Sequence, residues 1–149
     1  MTDDPYDLER FVTAQDARGT YASAVAELRA GRKTGHWMWF VFPQIAGLGL
    51  SEMSRRYAIS SIEEARAYLA HPILGKRIEE CARALTEVNG ATATEILGQV
   101  DATKLRSSMT LFARAAPDNP FFRDVLERYF DGLPDEATDD RLRSSHREA

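Results

Sequence analysis

The sequence predicts an all-α fold. Apolar residues recur at spacings of three and four along almost the whole chain, which is the periodicity of helices with one buried face. Residues that cap helix N-termini, or that end helices, stand between these segments. The clearest apolar stripe consists of Leu74, Ile78, Cys81, Leu85 and Val88. We therefore expect a succession of amphipathic helices joined by short turns.

The first two predicted helices are separated by Gly19. Asp7 is a suitable N-cap for the first of them. Apolar residues spaced by four and three from Tyr21 to Leu28 predict the second, which Gly31 ends.

An aromatic run follows these two helices. Trp37, Trp39, Phe40 and Phe42 lie within six residues, whereas aromatic residues make up 9% of the whole chain. The run is too apolar to be exposed, but its periodicity does not distinguish a buried strand from a short buried helix. Pro43 ends the run in either case.

Three helices are predicted between residues 51 and 90. Ser51 is the expected N-cap of the first, and Ser60 or Ser61 caps the second. The pair His71–Pro72 breaks that helix, and Pro72 fits the first turn of the third.

The C-terminal half contains three more predicted helices. Thr92 and Glu95 form a capping box at the start of a short one. Asp101 begins a long helix, and Asn119 followed by Pro120 begins the last strong one.

The composition is that of a single globular domain. The chain has 149 residues, of which 44% are hydrophobic and 28% charged, and this is enough to bury a core. We expect residues 1–134 to form one helical domain. Residues 135–149 are polar with few apolar positions, and we expect them to form a flexible tail.

Charge and cysteine content exclude several classes of protein. A net charge of −4 gives no reason to expect non-specific binding to nucleic acid or to a membrane. Cys81 is the only cysteine and the acidic N-terminus does not resemble a signal peptide, so we expect a cytoplasmic location. The histidines lack metal-ligand spacing, so we expect neither a metal site nor a cofactor. The oligomeric state is not predicted.

The loop of residues 47–51 is the first candidate site. Gly47 and Gly49 lead into the predicted helix start at Ser51, where backbone N–H groups and the helix dipole suit an anion such as a ligand phosphate. Arg55 lies one turn further along and would add positive charge. The alternative is a tight turn with an ordinary serine cap.

The aromatic run and its edges supply the second candidate site. Trp37 or Trp39 would stack on a base, His36 would act as a general base, and Gln44 would bind the ligand. The alternative is that these residues only build the core.

The predicted helix from Asp101 carries the third candidate site. Lys104 and Ser108 are four residues apart and share a face, and Ser107 adjoins them. These residues would form the polar floor of a pocket, with Lys104 as a cation or an acid–base group. The alternative is that the hydroxyls bond back to helix carbonyls.

Several segments together carry a family resemblance. They include residues 7–12 (DLERFV), 36–44 (HWMWFVFPQ), 47–49 (GLG), 64–69 (EARAYL) and 104–112 (KLRSSMTLF). They are similar to a family of small bacterial proteins catalogued as a domain of unknown function, sometimes labelled calpastatin-like. The resemblance implies a single multihelical domain with a short buried central helix, and it brings no established activity.

A fainter similarity links residues 104–135 to the end of the NADAR family, whose helical members are associated with ADP-ribose and N-glycosidic chemistry. This similarity favours a small enzyme or binder for a nucleotide-like, phosphorylated small molecule. In that hypothesis Lys104 or His36 assists proton transfer during N-glycosidic cleavage. The alternative hypothesis is a non-enzymatic interaction module whose aromatic run is only core.

Overall fold

The computed structural model describes the backbone of residues 3–148 and the side chains of residues 3–144. It confirms the all-α fold, and the described residues contain no β-strand, only an isolated parallel bridge between Ile45 and Ile59. A turn of 3₁₀ helix, Ala17–Gly19, joins the first two α-helices. In chain order the α-helices are α1 (Glu9–Asp16), α2 (Thr20–Ala30), α3 (Met38–Val41), α4 (Glu52–Arg56), α5 (Ile62–Ala70), α6 (Leu74–Thr86), α7 (Ala93–Leu97), α8 (Gln99–Ala115), α9 (Pro120–Phe130) and α10 (Glu136–Glu148).

The helix caps agree with the sequence at several positions. Ser51 and Ser61 cap α4 and α5 through their hydroxyls, and Thr92 forms the capping box with Glu95 at α7. Asn119 caps α9, with Pro120 in its first turn. These motifs are predictable because the cap and the amide it satisfies lie within three residues of each other.

The start of α1 differs from the sequence prediction. The Asp4 carboxylate, not that of Asp7, accepts hydrogen bonds from the amides of Leu8 and Glu9, at 2.8 and 2.9 Å. Asp7 instead adopts a left-handed backbone conformation with φ of 52°. An irregular turn before the helix therefore brings a more distant carboxylate to the free N–H groups.

The starts of α6 and α8 also differ from the prediction. Pro72 lies outside α6, and the amides of Ile73, which precedes the helix, and of Leu74, its first residue, donate to Nδ1 of His71. The long helix α8 begins at Gln99 rather than Asp101. Gly98, with φ of 87°, turns the chain directly from α7 into α8, so no linker separates the two helices.

The core is organised around α8, which contacts α5, α7, α9 and α10. A continuous series of aromatic rings crosses this core with centroid separations of 5.1 to 5.8 Å. In order from α9 to α3, the rings belong to Phe122, Phe112, Tyr68, Phe11, Tyr57 and Phe40. Edge-on and tilted ring pairs of this kind add to the stabilisation from burial alone.

The C-terminal segment contains a helix that the sequence pattern does not predict, while the division into a domain of residues 1–134 and a flexible tail stays a prediction. Residues 136–148 form α10, and the hydroxyl of Thr138 is buried against the carboxylate of Asp135, which also accepts the Thr138 amide. Arg114 of α8 forms a two-bond ion pair with Asp139. Polar contacts to α8 thus supplement the few apolar residues of α10, of which Leu142 is partly buried against the core. The part of the tail prediction that concerns the side chains of residues 145–149 lies outside the described residues.

Candidate functional site

The aromatic run forms the short helix α3, so the helical alternative holds and the strand does not. Only one turn forms before Pro43, and Met38, Phe40 and Val41 are buried. The buried side chain of Gln15 donates a hydrogen bond of 2.8 Å to the carbonyl of Phe40. This bond satisfies a carbonyl that such a short helix leaves unpaired.

Trp37 is part of the core. Its side chain is 1% exposed, and its Nε1 donates to the carboxylate of Glu27 at 3.0 Å. The same carboxylate oxygen accepts from the amides of Thr34 and Gly35. Burial acts to raise the pKa of Glu27, but these hydrogen bonds outweigh it and hold the pKa below its usual value. Since Trp37 is enclosed and fully bonded, its ring offers no face to a ligand.

Trp39 is the tryptophan that remains partly accessible. Its ring is half-buried, while its Nε1 atom is buried and has no hydrogen-bond partner among the described residues. The ammonium of Lys104 lies over the ring, 4.9 Å from its centre. Trp39 and Lys104 therefore bring α3 and α8 together at a point where an indole N–H is unused.

Ser108 places a second unused polar group on the same helix as Lys104. Its side chain is completely buried, and its Oγ has no hydrogen-bond partner among the described residues. A buried hydroxyl without a partner costs about 1–3 kcal/mol. Lys104 and Ser108 are four residues apart and so lie on one face of α8. We call Trp39, Lys104 and Ser108 the Trp39 site.

Ser107 and Thr110 bond Asp135, the residue before α10, and so anchor α10 to α8. The Ser107 hydroxyl lies 3.2 Å from both the Thr103 carbonyl and the Asp135 carboxylate. Thr110 donates to the Arg106 carbonyl and accepts from the Asp135 amide. Ser107 therefore matches the alternative in which helix hydroxyls bond back to carbonyls, because its hydroxyl already has hydrogen-bond partners.

A carboxylate joins the Trp39 site to a second lysine. Asp101 lies 2.8 Å from the ammonium of Lys33 and 3.7 Å from that of Lys104. Lys33 also donates to the carbonyl of Gly35 at 2.5 Å and lies over the ring of Trp37. Each tryptophan of the aromatic run is therefore paired with a lysine, and Asp101 connects the two lysines.

Lys33 and Asp101 are the site residues that the sequence did not reveal. From the sequence, Lys33 is assigned to no site, and Asp101 is only the beginning of a helix. The spacing of three between Asp101 and Lys104 was the available signal, since such pairs meet on a helix surface. Nothing in the sequence indicated that Lys33 would reach the same carboxylate.

The glycine loop lies apart from this cluster. Helix α4 has only five residues, and the Ser51 hydroxyl accepts the Ser54 amide at 3.1 Å. A side chain at Gly47 would collide with the Arg141 guanidinium, and one at Gly49 would collide with the Ser54 hydroxyl. The geometry is thus that of a tight turn with a serine cap, in which the glycines permit close packing.

The remaining predicted site residues make no hydrogen bond or ion pair with the Trp39 site. His36 and Arg55 are exposed, and neither has a side-chain partner among the described residues. Gln44 is half-buried, and only its backbone carbonyl is used, by the Ile59 amide at 2.8 Å. Among the described residues, no three His, Cys, Asp or Glu side chains form a group that could hold a metal ion.

A surface cavity of about 310 Å³ lies between α8 and α9, away from the Trp39 site. Arg114 contributes to it but is committed to Asp139 through two hydrogen bonds. None of the unpartnered buried atoms lines this cavity. Its lining residues are Ala113, Arg114, Pro117, Asn119, Arg123, Leu126, Gly132 and Pro134.

No helix in the described part of the chain is both long and apolar enough to cross a bilayer.

A comparison with curated proteins gave no match. Among solved structures, the chain is similar to the conserved hypothetical protein Rv1873 from Mycobacterium tuberculosis, with 54% sequence identity and a TM-score of 0.91. The match covers 94% of this chain and 99% of that one.

A family model also matches nearly the whole chain. Its description is "Protein of unknown function (DUF1810)", and it matches residues 5–142. The resemblance to a family of unknown function is confirmed, while the fainter similarity to the NADAR family stays a prediction. The chain belongs to the DUF1810 family.

Proposed function

We propose that this protein binds a nucleotide-like, phosphorylated small molecule at the Trp39 site. The observation that carries the proposal is the pair of buried, unpartnered polar atoms, Nε1 of Trp39 and Oγ of Ser108. Folded proteins satisfy nearly all buried polar groups. An unused indole N–H on the ring that Lys104 covers, and an unused hydroxyl one turn further along the same helix face, therefore favour a ligand that completes them.

The chemistry of the site defines the ligand. The Trp39 indole and the Lys104 ammonium are donors only, and the Ser108 hydroxyl can also donate. A ligand that completes them must present acceptor oxygens, and a lysine favours a negatively charged group such as a phosphate. The ligand thus meets the Nε1 edge of Trp39, since Lys104 already lies over the ring face.

N-glycosidic hydrolysis is the reaction that we propose for such a ligand. Water would add to the anomeric carbon of the sugar while the base departs with a proton. Lys104 is the residue best placed to assist that proton transfer, because it lies at the site while His36 is exposed and makes no contact with it. Binding does not depend on this step, so the two are tested separately.

The first experiment measures binding. ADP-ribose, NAD and AMP are titrated into the wild-type protein by calorimetry, and melting temperatures are recorded with each. A ligand at about 100 times its Kd should stabilise the fold by ~2.7 kcal/mol. Products of incubation are then separated by chromatography to detect a released base.

A matched pair of variants shows whether binding occurs at the Trp39 site. Ser108→Ala removes the unused hydroxyl and should weaken binding about tenfold, the effect of a lost hydrogen bond to a charged ligand. Ser107→Ala removes a neighbouring buried hydroxyl that bonds Asp135 instead and should leave the Kd unchanged. The proposal would be contradicted if none of the three probes binds, or if both variants change the Kd equally. The alternative hypothesis, a non-enzymatic interaction module, would then remain.

A further inference from the structure

The carboxylate of Asp101 is held unequally by its two lysines. One oxygen, Oδ2, lies 2.8 Å from Lys33, within hydrogen-bond range. The other, Oδ1, lies 3.7 Å from Lys104, which is too far for a hydrogen bond. A carboxylate offers about four acceptor positions, so Oδ1 retains most of its capacity.

Lys33 fixes the position of this carboxylate. The side chain of Lys33 is 9% exposed and also donates to the Gly35 carbonyl, so its ammonium is held in place. The Asp101 side chain is 18% exposed, so it is not fully enclosed. Lys33 is thus a positioning residue that acts through the partly accessible carboxylate of Asp101.

The Trp39 site and Asp101 together offer opposite kinds of hydrogen-bonding groups. Trp39, Lys104 and Ser108 provide donors beside a single negatively charged acceptor. A ligand that fits both must carry an oxyanion and, a few ångströms away, a group that donates hydrogen bonds. A phosphorylated sugar has this arrangement, with hydroxyls next to its phosphate.

We propose that Oδ1 of Asp101 accepts a hydrogen bond from a sugar hydroxyl of the ligand, so that the Trp39 site selects a sugar phosphate over a bare phosphate. This inference rests on the proposed function and names the part of the ligand that Asp101 recognises. Glu27 accepts from Trp37 and two backbone amides through one oxygen, Oε1, whereas Asp101 is the carboxylate that lies near Lys104, so Asp101 supplies the acceptor at the Trp39 site.

The test compares ribose 5-phosphate with inorganic phosphate as probes, by calorimetry. In the wild-type protein, ribose 5-phosphate should bind at least tenfold more tightly, because a hydrogen bond to a charged group contributes about one to two orders of magnitude in affinity. In Asp101→Ala this ratio should fall below about threefold. The affinity for inorganic phosphate should be unchanged or higher, since a competing negative charge is removed.

Two further variants control for folding and for charge. Asp101→Asn retains an acceptor oxygen and the shape of the side chain, so its ratio should lie between those of the wild type and Asp101→Ala. Asp139→Ala removes a carboxylate that pairs with Arg114, also on α8, and should leave the ratio unchanged.

The outcomes separate this inference from the proposed function. If neither ribose 5-phosphate nor the nucleotide probes bind the wild type, the proposed function fails. If ribose 5-phosphate binds but Asp101→Ala keeps the tenfold ratio, or the wild type shows no preference, the role of Asp101 is overturned while the Trp39 site stands. Opposite changes for the two probes in Asp101→Ala would support the inference, because a loss of folding would weaken both.

Discussion

Lys104 places its ammonium 4.9 Å from the centre of the Trp39 ring, and this contact links helix α8 to the one-turn helix α3. The ring under this cation carries a buried Nε1 that has no partner among the described residues, and Ser108, one turn from Lys104 on α8, carries a buried Oγ in the same state. A cation over an aromatic ring contributes about 0.5–2 kcal/mol, depending on its exposure. The contact between Lys104 and Trp39 therefore stabilises the fold and also keeps a charged donor at the Trp39 site.

Ser108→Ala should stabilise the free protein. The substitution removes a buried hydroxyl without a partner, so the free energy of unfolding should rise by about 1 kcal/mol. Ser107→Ala should lower it by about the same amount, because that hydroxyl bonds Thr103 and Asp135. Urea denaturation measures both values. Equal losses in the two variants would mean that the Ser108 hydroxyl is hydrogen-bonded in solution.

The two tryptophans should respond differently to replacement by phenylalanine. Trp37→Phe removes the bond to the Glu27 carboxylate and should destabilise the fold by about 2–4 kcal/mol, including the lost packing. Trp39→Phe removes an N–H that has no partner among the described residues and replaces a partly exposed indole by a smaller ring, so its cost should be smaller. Chemical denaturation followed by circular dichroism distinguishes them. A larger loss for Trp39→Phe would contradict the assignment of Trp37 to the core.

Glu27 should make stability depend on acid pH. Hydrogen bonds hold its pKa in the folded state below the ordinary value of 4.5. The ionised carboxylate therefore stabilises the fold above that value, and the contribution is lost as the pH falls through the lower, folded-state pKa. Urea midpoints from about pH 6 down to pH 3 should fall less steeply in Glu27→Gln than in the wild type. Glu63→Gln, at an exposed position of α5, is the control and should follow the wild type.

Cys81 should be unreactive while the protein is folded. Burial raises the pKa of its thiol to about 12, and its side chain is fully buried on α6. The thiolate is the reactive form, so at pH 8 the native protein should react with a disulfide reagent at least about 100-fold more slowly than the unfolded chain. Thiol release followed by absorbance, with and without urea, measures this ratio. Rapid reaction of the native protein would show that α6 opens readily.

Asp135 should be required to hold α10 against α8. Its carboxylate caps α10 through Thr138 and contacts Ser107, and its amide donates to Thr110. Asp135→Ala should therefore speed proteolytic cleavage within α10, since loss of such a cap costs about 0.5–2 kcal/mol. Asp140→Ala, which removes an exposed partner of Arg143, should have little effect. If cleavage is equally fast in the wild type, the predicted flexible tail is correct in solution.

Local features of the fold were predictable from the sequence. The caps at Ser51, Thr92 and Asn119 occur where the motifs place them, because each acts on amides of the following turn. The start of α1 was not predictable, because the chain curls back to bring Asp4 to amides four and five residues away. Helix α10 was missed for a related reason, since its stability comes from polar contacts with α8 rather than from an apolar stripe.

The candidate site was predictable only in outline. The sequence pointed to the aromatic run and to Lys104, and in the structure the Lys104 ammonium lies over the ring of Trp39 in that run. The sequence did not show which tryptophan is enclosed in the core and which is partly accessible, because both lie in the same apolar run. Glu27 satisfies one indole and no described residue satisfies the other, and this difference depends on where α2 passes.

The helical class, most helix limits and the family were predictable without a structure, because they follow from periodicity and motifs within a few residues. Which polar groups form hydrogen bonds depends instead on how the helices pack. Ser107 and Ser108 are neighbours of the same type, yet one anchors α10 and the other has no partner among the described residues. A helix turns by about 100° per residue, so adjacent side chains face different surroundings, and those surroundings depend on how distant segments pack.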